Sequence, residues 1–117
     1  MAATSSFQGD AHRVLIVCSA GILRSPTAAV VLAQKFGHNT RSCGIDDAFA
    51  LIPFSEILAF WADEIVCMSR EHERKVKESL EKWSLSKIVV VLDIEDDYGY
   101  MDEKLQSMIV EGYSQRS

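Results

Sequence analysis

The stretch from Val14 to Phe36 constrains this chain more than any other. Four consecutive apolar residues, Val14-Leu15-Ile16-Val17, run into Cys18-Ser19-Ala20-Gly21-Ile22-Leu23-Arg24-Ser25-Pro26, and an alanine-rich amphipathic segment continues to Phe36. A short continuous apolar run is what a strand covered on both faces looks like. Ser25 suits an N-cap, and Pro26 suits the first helical position. The expected structure is strand, tight loop, helix, with a thiol at the strand end and a guanidinium at the helix start. A helix N-terminus carries unsatisfied N–H groups and a partial positive charge, so phosphate-like anions bind there. The small side chains of Ser19, Ala20 and Gly21 let the backbone curl until successive N–H groups point inward. Arg24 adds a planar fork suited to two phosphate oxygens. Thiols beside helix N-termini and Arg lose their proton near neutral pH, and the thiolate is the nucleophile. On this reading Ser19, Ala20, Gly21, Ile22, Leu23 and Ser25 cradle the anion, Arg24 clamps it and Cys18 attacks it. A cysteine at a strand end is more often a small hydrophobe. The position of the motif, after a strand and before a capped helix, gives the Cys-x5-Arg spacing its weight.

The rest of the chain keeps alternating. Apolar runs and turn signals predict strands at 13–18, 39–43, 63–68 and 87–93, and helices at 25–36, 54–61, 70–83 and 101–111. Such alternation implies an α/β fold: a parallel sheet with right-handed crossovers and helices on both faces. Ligands of such sheets bind at the carboxyl ends of the strands, and Cys18 ends the first one. With 117 residues and 48% hydrophobic content, one domain over 13–117 is expected after a flexible tail at 1–12. The interleaved charges from Arg70 to Lys82 predict a solvated helix face. Phe54, Phe60, Trp61 and Trp83 read as core, Cys43 and Cys67 as buried strand cysteines, and His12, His38 and His72 as surface residues.

Composition removes several function classes. A net charge of −5 argues against a nucleic-acid partner, which needs a basic stripe, and makes anion binding a local property of the loop. No run of 18 apolar residues predicts a membrane span, and residues 1–11 do not resemble a signal peptide. Three widely spaced cysteines fit a reducing, cytoplasmic setting better than a disulfide framework. No Cys/His spacing suggests a metal, and no cofactor motif is visible.

Attack on a phosphate ester expels an alkoxide or phenoxide, and protonating that oxygen is worth about 10²–10⁴ in rate. The segment Asp93-Ile94-Glu95-Asp96-Asp97 follows the last strand, so it reaches the same sheet edge as Cys18. The residues alone leave two readings open, a general acid and a merely solvated acidic loop. Tyr98 and Tyr100 follow it and could stack on an aromatic leaving group; Ile45 to Phe49, after the second strand, could line the opposite wall.

These pieces together resemble the low-molecular-weight protein tyrosine phosphatases. Their active-site loop reads Cys-x-Gly-Asn-x-Cys-Arg-Ser-Pro close to the N-terminus, where this chain has Cys18 to Pro26. Ser42-Cys43-Gly44 resembles the family's Ser-Ala-Gly, and Trp61-Ala62-Asp63-Glu64-Ile65-Val66-Cys67-Met68 resembles its Trp-Ala-Asp-x-Ile-x-x-Met strand. Asp96-Asp97-Tyr98 stands where the family has Asp-Pro-Tyr. The resemblance implies a three-layer fold with a four-stranded sheet in the order 2-1-3-4. It implies a phosphocysteine intermediate on Cys18, phosphate held by Arg24, and Asp96 as general acid and then base, with Asp93 in reserve. Ser25 would donate a hydrogen bond to the Cys18 sulfur. The substrate would be a phosphotyrosine protein or a small phosphomonoester, with phosphate, vanadate or sulfate as site anions. Three positions depart from the family. Asp97 replaces its Pro, Gly21 replaces the loop Asn and so loses a side-chain hydrogen bond, and Leu23 replaces a second loop cysteine.

Three rival readings stand beside this one. An arsenate reductase shares the loop and fold, but it needs a closely spaced resolving cysteine pair that this chain lacks. A phosphocarrier subunit of a sugar phosphotransferase system has a Cys-x-Ala-Gly loop without the Arg. A non-catalytic phosphate-binding module is kept open by the altered Asp96-Asp97 loop.

Overall fold

The structure is a computed structural model, described here for residues 2–3, 12–19, 24–45, 52–94 and 101–116. The elements in order are β1 (Ala2–Ala3), β2 (Arg13–Cys18), α1 (Arg24–Phe36), β3 (Asn39–Gly44), α2 (Glu56–Trp61), β4 (Glu64–Cys67), α3 (Arg70–Lys82), β5 (Ile88–Val91) and α4 (Glu103–Arg116). The four longer strands are parallel and lie in the order β3-β2-β4-β5, which is the expected 2-1-3-4. β1 pairs antiparallel with β3 and adds a fifth strand at that edge. Two alanines carry no alternation, so this pairing has no signal in the sequence.

β2 sits centrally and is covered on both faces. Val14, Ile16 and Cys18 pack with α1 and α4 through Ala28, Leu32, Leu105 and Ile109. Leu15 and Val17 pack with α2 and α3 through Ala59, Val76 and Leu80. Val14 to Val17 are fully buried, and burying each such side chain contributes about 1.5–3 kcal/mol. The two-sided burial explains why the strand reads as an unbroken apolar run.

Helix boundaries follow local chemistry. α2 starts at Glu56 rather than at 54, because Pro53 and Phe54 are used to continue the sheet edge. Gly44 bridges Pro53, and the Phe54 N–H donates to the Gly44 carbonyl at 2.8 Å. Ser55 then caps the helix, accepting from the Leu58 N–H at 3.3 Å. A six-residue helix has little apolar face. It buries Ala59 and leaves Phe60 71% exposed, so the expected core role of Phe60 is wrong. Trp61 is half-buried beneath the Arg41 guanidinium, 4.5 Å from its ring centre.

α3 buries His72, Val76 and Leu80, one every fourth residue. Its outer face carries the pairs Arg74–Glu78, Lys75–Glu71 and Lys77–Glu73, as the charge pattern implies. The helix ends in a Schellman motif: the Ser84 N–H donates to Glu81 O and the Leu85 N–H to Leu80 O. α4 runs past the expected end at 111. Gly112 lies inside the helix, where an added Cβ would make ordinary contact with Leu92 Cδ2, 3.5 Å away, just past β5. Leu105, Ile109 and Tyr113 carry the buried stripe through it.

Candidate active site

Cys18 is the last residue of β2 and is 3% exposed. Both neighbouring strands end at its level. Its carbonyl accepts from the Ile45 N–H beyond β3 at 2.8 Å, and the Met68 N–H beyond β4 donates to Val17 O at 3.0 Å. α1 begins at Arg24, so its N-terminus lies five residues beyond Ser19 along the chain from the thiol. Ala20, Gly21, Ile22 and Leu23 lie outside the described residues. Arg24 and Ser25 are in the first turn of α1. Thr27, two residues on, is fully buried.

The acidic segment is anchored on both sides at this same edge. Before it, the Leu92 N–H donates to Cys67 O at 2.9 Å and the Ile94 N–H to Met68 O at 2.8 Å. After it, the Met101 N–H donates to the buried Thr27 hydroxyl at 2.8 Å, in the first turn of α1. The Met101 carbonyl accepts from Gln106 Nε2 at 2.7 Å. Asp102 then caps α4, accepting from the Lys104 and Leu105 N–H groups. Asp93 and Met101 both take positive φ, 57° and 60°. That is uncommon for residues other than glycine and persists where neighbours over-determine it. Asp93, the reserve acid, has a mostly exposed carboxylate 3.9 Å from Arg70 Nε. Asp96, Tyr98, Tyr100 and residues 46–49 lie outside the described residues.

The other two cysteines are inert by environment. Cys43 and Cys67 are fully buried, and none of the three cysteines is in a disulfide. Burial, then the neighbouring thiols, pushes the Cys43 thiol strongly up. Cys67 is pushed up to about 12, by burial first and by Glu73 second, against a lowering by Lys77. Both stay protonated at neutral pH, which suits structural thiols. No group of three or more His, Cys, Asp or Glu side chains among the described residues could hold a metal ion. No helix among them is long and apolar enough to cross a membrane.

One residue at this edge has a place the sequence reading missed. His72, expected at the surface, is 3% exposed, and its Nε2 lies 3.0 Å from Ser19 Oγ. The signal was present: His72 shares the every-fourth-residue stripe of Val76 and Leu80. A helix dominated by charge hides that stripe.

No protein-family model matches the chain, and no curated protein matches it in sequence. Solved structures do match in fold. The YwlE arginine phosphatase from Geobacillus stearothermophilus is 19% identical with a TM-score of 0.65, over 88% of this chain and 86% of that one. Wzb from Vibrio vulnificus, in complex with benzylphosphonate, is 18% identical with a TM-score of 0.68, over 91% of this chain and 97% of its own. The tyrosine phosphatase Wzb from Escherichia coli K30, in complex with phosphate, is 20% identical with a TM-score of 0.61, over 91% and 96%. With the strand order, the layers and the crossover pattern all in place, the chain has the fold of the low-molecular-weight protein tyrosine phosphatases.

Proposed function

We propose that this protein is a cysteine-dependent phosphatase acting on phosphomonoesters, with protein phosphotyrosine as its substrate class. The observation that carries the reading is Cys18. It is a thiol at the carboxyl end of the central strand, at the sheet edge where α1 begins, in a fold shared with phosphatases.

The Cys18 thiolate attacks phosphorus, and the S–P bond forms as the bond to the leaving oxygen breaks. The backbone N–H groups of residues 19–24 and the Arg24 guanidinium hold the three non-bridging oxygens, where charge must be met in the transition state. Asp96 gives its proton to the leaving oxygen. In the second step Asp96 takes a proton from water, the water oxygen attacks phosphorus, and the thiolate leaves with help from the Ser25 hydroxyl. The anchoring of Ile94 and Met101 at the Cys18 edge supports an acid from this segment.

The test is hydrolysis of para-nitrophenyl phosphate from pH 4.5 to 8, wild type beside Cys18→Ser. Vanadate-sensitive turnover that vanishes in Cys18→Ser is expected, with phosphate still bound by the variant. Asp96→Asn is expected to lower kcat by about 10²–10³; a silent Asp96→Asn beside an impaired Asp93→Asn would move the acid to Asp93. A wild type that binds phosphate without turning over para-nitrophenyl phosphate would sink the enzyme reading in favour of a binding module or carrier. Phosphotyrosine and phosphoarginine peptides then sort the substrate class, since an arginine phosphatase shares this fold.

A further inference from the structure

We infer that His72 is a positioning residue for the anion loop, holding the residue that follows Cys18 through the Ser19 hydroxyl. The inference deepens the phosphatase reading and rests on it for its kinetic part. His72 Nε2 and Ser19 Oγ share a hydrogen bond at 3.0 Å. The two ends of this contact are unequal. Ser19 is exposed, whereas His72 is buried in the first turn of α3. The backbone that carries the imidazole is fixed: the His72 N–H donates to the Ser69 hydroxyl that caps α3, and Val76 and Leu80 continue the buried stripe. α3 in turn begins three residues after the end of β4 at Cys67, which pairs with Val17 in register beside Cys18. A buried group therefore reaches from the neighbouring crossover to the first loop residue.

The loop needs such a strut. In sequence, Gly21 stands where the resembled family has its loop Asn, so the side-chain hydrogen bond of that Asn is missing, and Ser19, Ala20 and Gly21 are all small. Oxyanion donors act only when they are pre-positioned, and misplacement of about 1 Å can cost about 10²-fold in rate. An external hydrogen bond to Ser19, next to the nucleophile, limits the conformations the N–H groups sample before the anion arrives.

The experiment compares Ser19→Ala, His72→Leu, His72→Gln and the double variant Ser19→Ala/His72→Leu in the full chain. Two readouts are taken. The first is kcat and KM on para-nitrophenyl phosphate. The second is independent of turnover: the inorganic phosphate concentration that half-protects Cys18 from iodoacetamide, read by peptide mass spectrometry. Ser19→Ala and His72→Leu are each expected to raise the half-protecting concentration and lower kcat by about five- to tenfold, the worth of one hydrogen bond. The double variant is expected to be no worse than either single one, because both remove the same contact. His72→Gln, whose amide can reach the same hydroxyl, is expected to restore most of the loss, which a purely space-filling role would not do. Ser19 is exposed, so its variant is expected to keep the wild-type thermal midpoint within about 2 °C, separating positioning from unfolding. Wild-type values in Ser19→Ala, or additive losses in the double variant, overturn the inference while leaving the phosphatase reading intact. A wild type with neither turnover nor phosphate protection overturns both, since His72 would then have no anion loop to position.

Discussion

The two ends of the same parallel sheet use their polar groups differently. At the amino ends, polar side chains pair with one another. Glu64, buried at the start of β4, accepts from the Tyr113 hydroxyl at 2.8 Å and lies 2.9 Å from His12 Nε2. Tyr113 also meets His38 Nε2 at 3.1 Å, and Arg13 grips Asp63 through its backbone N–H and its guanidinium. At the carboxyl ends two side-chain pairs, Ser19–His72 and Arg70–Asp93, stand beside contacts that brace backbone: Ile45, Met68, Leu92, Ile94 and Met101 all donate main-chain N–H groups that fix where segments leave the sheet. The first end ties α4 to β4 by side chains that satisfy each other. The second sets a thiol and a helix N-terminus at one place and leaves their chemistry to a ligand. Stability and function are therefore expected to respond to different residues.

The largest expected effect is at the carboxyl end. Arg24→Ala is expected to lower kcat/KM on para-nitrophenyl phosphate by about 10²–10³, as loss of a transition-state donor does, while the urea midpoint moves little. Next comes its counterpart at the other end. Tyr113→Phe removes a hydrogen bond to a buried carboxylate and is expected to cost about 1.5–3 kcal/mol of stability, measured by urea unfolding, with kcat unchanged. Tyr113 is buried and its phenol is pushed strongly up, by burial first and then by Glu64, so it acts only as a neutral donor. A Tyr113→Phe protein that stayed folded but lost kcat tenfold would break the separation.

How legible each end was in sequence follows from the kind of signal it sends. Cys18, Arg24 and Ser25 are consecutive with their strand and helix, so local pattern alone placed them at a strand end and a helix start. The strand order needed more than pattern, because alternation gives parallel crossovers but not which strand is central; the family resemblance supplied it. The amino-end cluster was not legible at all. His12, His38, Glu64 and Tyr113 come from four separate segments, and nothing in any one of them announces the others. His72 fell between the two cases. Its stripe with Val76 and Leu80 was readable, but its contact with Ser19 depends on two elements meeting in space. Phe60 failed for a third reason: its aromatic character suggested core, while the helix carrying it is too short to bury it.

A smaller effect is expected from pH. Burial, with a further push from His12 and against a pull from Glu64, holds the His38 pKa below its ordinary 6.5. A lowered pKa means that the unfolded chain binds the proton first. Stability is complete above about 6.5 and is lost as pH falls through the folded value. Asp63 has the same sign lower down: hydrogen bonds from the Arg13 side chain and then its backbone hold its carboxyl below the ordinary 3.8, so its contribution is lost as pH falls beneath that. Urea midpoints from pH 8 to 4 are expected to decline below about pH 6.5, and His38→Asn is expected to flatten the upper part of that decline. Identical slopes in both proteins between pH 6.5 and 5 would remove His38 from the account.

The smallest effect concerns backbone strain, which occurs at both ends. Ser84, where α3 turns back toward the amino end of β5, has φ 56°; Met101, beside the acidic segment, has φ 60°. Left-handed backbone costs a residue with a Cβ about 1 kcal/mol or more, and glycine escapes most of that. Ser84 occupies the position after the helix cap where glycine is the usual choice, and its two Schellman hydrogen bonds come from backbone groups that glycine also has. Ser84→Gly is therefore expected to stabilise the protein by up to about 1 kcal/mol, reduced by the extra freedom glycine gives the unfolded chain, with kcat unchanged. Met101→Gly relieves the same strain at the other end, but Met101 links α1 to the exit of the acidic segment. There the relief is expected to come with a lower kcat, because the freed backbone no longer fixes where that segment returns to the sheet edge. Equal kinetics in the two glycine variants would mean that the strain at Met101 has no part in placing the acid.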